Sequence, residues 1–214
     1  MKTLVIGCDG SGKSSFVEGI NYEFGDFVLE STLSDEAKNF KSANQRAPVN
    51  EGFIDARENL FLGLSQKAMV EISSKKIENV VTTSSSLVTR VSHSVMRKII
   101  CVEADSDEAI IQKWLEEEAE LPDIVVLTFA PAEVILDRIA ERQERGDRGE
   151  AFWGFNSPFF LNSYQERWKK VTSQLANLSL ACVEINTSRE SILGSVERYG
   201  KVREYATSHK TSVK

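Results

Sequence analysis

The feature that most constrains the fold is a glycine-rich segment near the N-terminus, GCDGSGKS at residues 7–14. It has the spacing G-x-x-x-x-G-K-S and directly follows a short apolar run, residues 4–6. Glycines let backbone N–H groups turn inward around phosphate oxygens, and a helix beginning at Lys13 would add the positive end of its dipole. The segment therefore predicts a strand, a phosphate-binding loop (P-loop) and a helix, in that order.

Each residue type in this loop has its own expected task. Lys13 would reach the β- and γ-phosphates as a point charge, and the Ser14 hydroxyl would hold Mg²⁺, with ATP as the donor. The chain has neither the Asn-Lys-x-Asp segment of guanine-specific GTPases nor the Leu-Ser-Gly-Gly-Gln segment of ABC ATPases. The loop thus predicts that the chain binds a nucleotide, but it does not predict which reaction the chain catalyses. The expected phosphate-binding set is Gly7, Asp9, Gly10, Ser11, Gly12, Lys13, Ser14, Ser15 and Arg138.

Apolar runs of strand length alternate with segments of helical period along the whole chain. This alternation predicts an α/β fold with a five-stranded, mainly parallel sheet and helices on both faces, in one domain over residues 1–214. The predicted strands are Lys2 to Ile6, Phe27 to Glu30, Asn79 to Thr83, Asp123 to Phe129 and Leu180 to Ile185. Residues 31–55 and 146–157 lack a clear period and are expected to be irregular, and the tail 206–214 is expected to be frayed.

Composition narrows the classes of partner. The net charge of -6 disfavours long nucleic acids, although small anionic ligands need only local charge. The three cysteines are odd in number and widely spaced, which suggests neither a disulfide framework nor a zinc site. No segment approaches the length of a membrane span. We expect a cytoplasmic protein that binds small nucleotides; a homodimer is compatible with the sequence.

An arginine-rich segment follows the fourth predicted strand. Arg138, Arg142 and Arg145 have spacings of four and three that place them on one helix face, and Arg148 follows. Guanidinium groups from a lid over residues 142–157 would stabilise a transferring phosphoryl group while excluding water. Alternatively, Glu141 could pair with Arg138 and Arg145 on a solvated face. The segment alone leaves both interpretations open.

With these motifs, the chain resembles the thymidylate kinase family of nucleoside monophosphate kinases. The resemblance implies that ATP lies over the P-loop, that Lys13, Arg142, Arg145 and Arg148 act on the transferring phosphoryl group, and that Asp9 contacts a sugar hydroxyl of the acceptor. It further implies phosphoryl transfer to dTMP or another deoxynucleotide. It rests on residues 9–14, on Pro122-Asp123 and residues 130–133 around strand four, on residues 138–148, on Phe159-Phe160, and on residues 184–188 as the final strand and adenine-side turn.

The sequence departs from this family where the acceptor should bind. The third strand ends in residues 82–86, Thr-Thr-Ser-Ser-Ser, where the family has an Asp-Arg pair. These hydroxyls could line the acceptor site at a strand end, with Thr83 and Ser84 as ligands, or could merely cap the next helix. The residues that could take over the role of the missing arginine as ligands of the acceptor phosphate are Arg90, Lys67, Arg57 and Arg46.

Three further hypotheses therefore stay open at this stage. The first is a kinase of the same fold that acts on a nucleoside, a modified base in DNA or a non-nucleotide metabolite. The second is a nucleotide-binding regulatory protein with little turnover. The third is an ATPase that binds nucleic acid, which the net charge disfavours.

Overall fold

The computed structural model describes residues 1–29, 35–44, 49–75, 77–118, 121–145 and 157–211. Five parallel strands form one sheet in the order β2-β3-β1-β4-β5. The predicted α/β class and the five predicted strands are confirmed, with shifts of one residue at most strand ends. The strands are β1 (Lys2–Ile6), β2 (Phe27–Leu29), β3 (Val80–Thr82), β4 (Ile124–Phe129) and β5 (Ala181–Asn186).

Helices connect the strands, because a parallel pair needs a crossover connection. Their bounds are α1 (Lys13–Phe24), α2 (Asp35–Ala43), α3 (Glu51–Lys75), α4 (Ser86–Ile99), α5 (Asp107–Glu117), α6 (Ala132–Glu144), α7 (Pro158–Asn177) and α8 (Ile192–Thr211). Within the described part of the chain, none of these helices has the length and apolar character to cross a lipid bilayer.

The sheet is buried on both faces, which explains the continuous apolar runs of its central strands. Successive side chains of a strand point to opposite faces. Leu4 and Ile6 of β1 therefore pack against one layer, which includes α4 and α7, whereas Val5 packs on the other side among residues of α1 and α8. This two-sided core fixes β1 at the centre of the molecule.

The position of β1 decides where the P-loop lies. Leu4 is in register with Thr82 of β3, and Ile6 is in register with Leu127 of β4. The loop after β1 consequently emerges between the carboxyl ends of β3 and β4. This is the crevice in which open α/β sheets bind their ligands.

The prediction of an irregular stretch over residues 31–55 is wrong for most of its described residues. It contains α2 and the start of α3. The side chain of Asn50 accepts a hydrogen bond of 2.9 Å from the Phe53 N–H, so Asn50 caps α3, and the rings of Phe40 and Phe53 lie 5.9 Å apart. The short α2 depends on such contacts with α3, and a sequence window of nine residues does not reveal them.

Two other predicted segments lie only partly within the described residues. α8 continues to Thr211, so residues 206–211 of the predicted frayed tail are helical. Of the predicted lid, residues 142–144 form the C-terminal end of α6, and Arg145 follows that helix. Residues 146–156, including Arg148, lie outside the described residues.

Candidate active site

Three glycines give the P-loop its path. Gly7, Gly10 and Gly12 have φ values of 141°, 80° and 88°, which residues with a Cβ rarely adopt. Gly12 immediately precedes α1 and, having no side chain, makes no capping hydrogen bond to the first turn of that helix. The N–H groups of this turn, with the positive end of the helix dipole, therefore face the loop opening. The predicted order of strand, loop and helix is confirmed.

Two threonines, Thr128 in β4 and Thr187 just after β5, hold the P-loop in place through hydrogen bonds. The Thr128 hydroxyl of β4 donates to the Ile6 carbonyl at 3.3 Å, so the Ser11 hydroxyl, 2.8 Å away, donates to Thr128. The Thr187 hydroxyl, just after β5, donates to the Ser11 carbonyl at 2.9 Å. The buried side chain of Ser11 thus holds the loop together. Sequence analysis missed Thr128, because its partner lies far away along the chain.

Lys13 lies across the loop. Its Nζ donates to the carbonyl oxygens of Gly7 at 2.9 Å and Cys8 at 2.8 Å, and lies 3.6 Å from Oδ1 of Asp9. Ser14 and Ser15 are exposed in the first turn of α1. The ammonium therefore lies on the loop, close to the exposed carboxylate of Asp9.

Arg138 and Arg142 of α6 reach the tip of the same loop. Arg138 donates from Nη1 to the Gly10 carbonyl at 3.1 Å and to the Thr187 hydroxyl at 2.9 Å, and from Nη2 to the Thr187 carbonyl at 2.9 Å. Arg142 Nη2 lies 3.4 Å from where a Cβ on Gly10 would be. Arg145 is exposed and donates to the backbone carbonyl of Glu141. Of the three predicted arginines that the structure describes, Arg138 and Arg142 therefore reach the P-loop.

The hydroxyl run after β3 is largely engaged in local structure. The Thr82 hydroxyl accepts from the Ser84 N–H at 3.0 Å, and Ser85 caps α4 by accepting from the Val88 N–H at 3.3 Å. Ser86 donates to Glu118, whose other carboxylate oxygen pairs with Lys2. The helix-capping interpretation is confirmed for Ser85. Thr83 and Ser84, the predicted acceptor ligands, are buried at the end of the strand.

The four candidate acceptor cations have different surroundings. Arg90 forms an ion pair with Glu117 that joins α4 to α5, and Lys67 pairs with Glu36 on the exposed side of α3. Arg46 lies outside the described residues. Burial lowers the pKa of Arg57 of α3, and the negative charge of Asp9 acts against that shift.

His93 of α4 holds the Arg57 side chain. Arg57 Nη1 donates to His93 Nε2 at 2.8 Å, and the opposite ring nitrogen, Nδ1, lies 2.6 Å from the Thr89 carbonyl. A carbonyl only accepts and a guanidinium only donates, so His93 must be neutral with its proton on Nδ1. Burial, followed by the nearby Arg57 charge, lowers the pKa of His93 to about 3. Sequence analysis did not single out this histidine.

Two further ionisable groups, Cys8 of the P-loop and Tyr164 of α7, are buried. Burial raises the pKa of the Cys8 thiol to about 12 and that of Tyr164 to about 12. Ser92 donates to the Val88 carbonyl at 2.7 Å, so the Tyr164 hydroxyl, 2.5 Å away, donates to Ser92. Cys8 and Tyr164 are therefore uncharged at neutral pH.

The neutral state of His93 predicts a dependence of stability on pH. The His93 pKa is about 3 in the folded protein, whereas an ordinary solvent-exposed histidine, as in the unfolded chain, has a pKa of 6.5. Between these two pH values the unfolded chain therefore binds a proton that the folded protein does not. Stability then falls as the pH drops from 6.5 towards 3, by about 1.4 kcal/mol per pH unit. Between pH 7 and pH 5, we expect His93 to contribute a loss of about 2 kcal/mol in the free energy of unfolding.

Urea denaturation at pH 7 and pH 5 measures this contribution. The wild type and a His209→Gln control, which changes the only other histidine, should both lose this stability. His93→Gln should lose about 2 kcal/mol less over the same interval, because it has no imidazole to protonate. Equal losses in all three proteins would contradict a neutral, buried His93.

Comparison with solved structures shows the same fold in nucleoside and nucleotide kinases. The chain is similar to a deoxyadenosine kinase from M. mycoides with the products dCMP and a flexible dCDP bound: TM-score 0.70, 14% identity, 96% of this chain and 100% of that chain covered. It is also similar to the thymidylate kinase from Candida albicans: TM-score 0.65, 12% identity, 97% and 92% covered. No protein-family profile matches the sequence, and no curated protein does.

These similarities define the class of fold. The fold is the P-loop α/β fold of thymidylate kinase and deoxyadenosine kinase, as the sequence resemblance predicts. At identities of 12–15%, the comparisons show the fold alone.

Proposed function

We propose that this protein is a kinase that transfers the γ-phosphoryl group of ATP to a nucleoside or nucleoside monophosphate. The observation that carries this proposal is the convergence of three charged groups around the P-loop. Lys13 and Arg142 lie at the loop, and Asp9 projects from it with 73% of its side chain exposed. Positive charge for the transferring group and an exposed acceptor-orienting carboxylate are what phosphoryl transfer between two nucleotides needs.

The donor side would work by electrostatic stabilisation. The loop N–H groups and the α1 dipole would bind the phosphates, while Lys13 would exchange its carbonyl partners for phosphate oxygens. Arg142 would stabilise charge that develops on the transferring group. Arg138 is tied to Gly10 and Thr187 by three hydrogen bonds, so its role would be to fix α6 against the loop.

Mg²⁺ fits the donor set of the chain. Ser14 offers an exposed hydroxyl beside Lys13, and the described residues contain no cluster of three or more His, Cys, Asp or Glu side chains. Mg²⁺ commonly keeps several waters and is held by substrate phosphates with few protein ligands, which matches a single hydroxyl. Bound with the nucleotide, it would neutralise charge on the β- and γ-phosphates.

The acceptor side would be organised by Asp9. A carboxylate beside bound phosphates repels them unless it faces a hydroxyl or a cation. Asp9 already has cations near it in Lys13 and Arg57, and its exposed oxygens would accept from a sugar hydroxyl of the acceptor. The attacking oxygen comes from the acceptor itself. The products seen in the M. mycoides deoxyadenosine kinase, dCMP and dCDP, support an acceptor of this class.

ADP release from ATP tests the proposal. The purified protein with Mg²⁺ is incubated with each deoxynucleoside, each deoxynucleoside monophosphate, the corresponding ribose compounds, or no acceptor. We expect one subset of acceptors to stimulate ADP release and to become phosphorylated. If ATP binds and no acceptor is phosphorylated, the proposed kinase activity is wrong.

Arg142→Ala should affect the chemical step far more than ATP binding. The charge that its guanidinium would meet develops mainly in the transition state, so we expect kcat to fall roughly 100-fold while the Kd for ATP changes less than about threefold. Steady-state kinetics and equilibrium ATP binding measure the two quantities. Arg198→Ala, which removes an exposed arginine paired with Glu190, serves as the control and should leave both near wild type. Equal losses of kcat and ATP affinity would contradict this role for Arg142.

A nucleotide-binding regulatory protein with little turnover is the second candidate. It is favoured by the end of β3, where residues 80–89 contain no carboxylate and several hydroxyls are engaged in local hydrogen bonds. Such a protein would bind ATP and release no acceptor-dependent ADP. The assay above therefore separates the two candidates.

A further inference from the structure

We infer that Thr187, the first residue after β5, is a positioning residue for nucleotide binding: its hydroxyl holds the Ser11 carbonyl and the Arg138 guanidinium so that the P-loop keeps the shape that binds phosphates. The inference rests on the proposed function, because it takes ATP to be the ligand of the loop. It concerns how the loop is held before and during nucleotide binding, and it does not require Thr187 to contact the nucleotide.

Thr187 and Arg138 together contact three successive residues at the tip of the P-loop. The Thr187 hydroxyl donates to the Ser11 carbonyl at 2.9 Å, and a Cβ on Gly12 would lie 3.1 Å from Thr187 Cγ2. Arg138 Nη1 donates to the Thr187 hydroxyl at 2.9 Å and to the Gly10 carbonyl at 3.1 Å. The two side chains therefore act on the last three residues before α1 begins.

The hydrogen bonds of the Thr187 hydroxyl have a fixed direction. A guanidinium only donates, so the hydroxyl accepts from Arg138 and has a single proton left to donate. The Ser11 carbonyl, at 2.9 Å, is nearer than the Phe129 carbonyl, at 3.4 Å, and takes that proton. A hydroxyl that accepts from a cation is polarised, which strengthens the hydrogen bond that it donates. A chain of hydrogen bonds thus runs from α6 through Thr187 to the loop.

The backbone around Thr187 is fixed by the sheet. The Thr187 N–H donates to the Phe129 carbonyl at 3.0 Å, which continues the pairing of β5 with β4 by one residue. In the turn that follows, the Asn186 carbonyl accepts from the Glu190 N–H at 3.0 Å, and the Asn186 side chain accepts from the Ser188 N–H at 3.1 Å. Because the sheet and this turn set the position of the hydroxyl, little entropy is lost in holding the loop.

The carbonyls of the loop must point away from bound phosphates, because a carbonyl oxygen repels an anion. In this structure Lys13 donates to the Gly7 and Cys8 carbonyls. These two hydrogen bonds would be lost when the ammonium turns to the phosphates. The hydrogen bonds from Thr187 and Arg138 do not involve Lys13, so they persist when the nucleotide binds and continue to hold the tip of the loop.

Two substitutions of Thr187 separate its hydroxyl from its methyl group. Thr187→Val keeps a methyl group against Gly12 and keeps the backbone carbonyl that accepts from Arg138, but it removes the hydroxyl. Thr187→Ser keeps the hydroxyl and removes the methyl group. Calorimetry with ATP and Mg²⁺ should show a Kd about tenfold higher for Thr187→Val and a Kd within about threefold of wild type for Thr187→Ser.

Ser188→Ala is the matched control, since it removes the hydroxyl of the next residue. Ser188 Oγ donates to the Asn186 side chain at 2.7 Å, within the turn, so this variant should bind ATP within about twofold of wild type. Thermal melting establishes that each variant is folded. Thr187→Cys, whose thiol is a weak hydrogen-bond donor, takes the place of Thr187→Val if that variant does not fold, and it should raise the Kd as well.

The split between binding and chemistry distinguishes positioning of the loop from a general loosening of the site. Thr187→Val leaves Lys13 and Arg142 in the chain, and Arg138 keeps its acceptors in the Gly10 carbonyl and the backbone carbonyl of residue 187. At saturating ATP we therefore expect kcat within about threefold of wild type, with the loss confined to the KM for ATP. A fall in kcat at least as large as the rise in KM would overturn the inference.

ATP binding also separates this inference from the proposed function, because binding requires no turnover. If ATP affinity depends on the Thr187 hydroxyl in a protein that phosphorylates no acceptor, the inference stands and the kinase proposal is wrong. If Thr187→Val binds ATP as tightly as the wild type, or no more weakly than Thr187→Ser, the inference is wrong, whether or not an acceptor is phosphorylated.

Discussion

Lys13→Ala should lower kcat for ATP-dependent phosphoryl transfer at least about 1,000-fold, the largest effect we expect from a single substitution on activity. The Lys13 ammonium lies at the mouth of the loop, 2.9 Å from the Gly7 carbonyl and 2.8 Å from the Cys8 carbonyl. No other described lysine lies on the loop. Its removal would leave the β- and γ-phosphates without their point charge in the transition state, and single-turnover measurements with saturating ATP isolate that step.

The control for this prediction is a lysine that carries the same charge at a remote site. Lys113→Ala removes an exposed lysine of α5 that pairs with Asp105, and it should retain kcat within about twofold. Circular dichroism and thermal melting establish that both variants are folded. If Lys13→Ala keeps kcat within about threefold of the wild type, the P-loop is not the site of phosphoryl transfer, and the proposed function loses its main support.

Strands and the P-loop could be predicted because their signals are local. β1 is a run of apolar residues followed at once by GCDGSGKS, and the glycines of this segment are needed for backbone reasons that act within the segment itself. The other four strands are short, mainly apolar segments. Each of these patterns can be recognised without knowing what packs against it.

The contact between Arg57 and His93 could not be predicted in the same way, because it joins distant parts of the chain. Arg57 and His93 are 36 residues apart and lie on different helices. A buried histidine on an apolar helix face looks like any core residue until its two hydrogen-bond partners are known. Similarly, Ser11 and Thr128 are 117 residues apart, and nothing local to Thr128 marks it as a support for the P-loop.

The hydroxyl run after β3 shows how one sequence pattern can serve two purposes. Residues 82–86 lie at a strand end where ligands bind, yet Thr82, Ser85 and Ser86 close a turn, cap a helix and bind Glu118. Serine and threonine suit all three tasks, since their hydroxyls bond readily to nearby backbone groups. The composition of the run therefore did not distinguish ligand binding from local structure, and hydrogen-bond geometry was needed.

Gly7→Ala is the substitution that we expect to reduce stability most among the P-loop glycines. A Cβ at this position would lie 2.3 Å from the Thr128 carbonyl oxygen, 2.7 Å from Ser11 Oγ and 2.8 Å from Thr128 Oγ1. The nearest of these atoms belongs to the backbone of a central strand, which cannot move aside without disturbing the sheet. The φ of 141° adds conformational strain. We expect a loss of about 3 kcal/mol or more in the free energy of unfolding, together with loss of ATP binding.

Two other glycines separate the contributions of contact and backbone conformation. Gly25 has a φ of 68° with nothing within 4 Å of its Cβ position, so Gly25→Ala should cost only about 1 kcal/mol of backbone strain. Gly63 lies in α3 with open space around it and no positive φ, so Gly63→Ala should stabilise the protein by about 0.5–1 kcal/mol. Urea denaturation of the three variants gives these values. The alternative outcome is that Gly7→Ala lowers the free energy of unfolding by no more than Gly25→Ala does. In that case the Thr128 carbonyl does not pack closely against Gly7, and the contact between β4 and the P-loop is looser than the hydrogen bonds of Ser11 indicate.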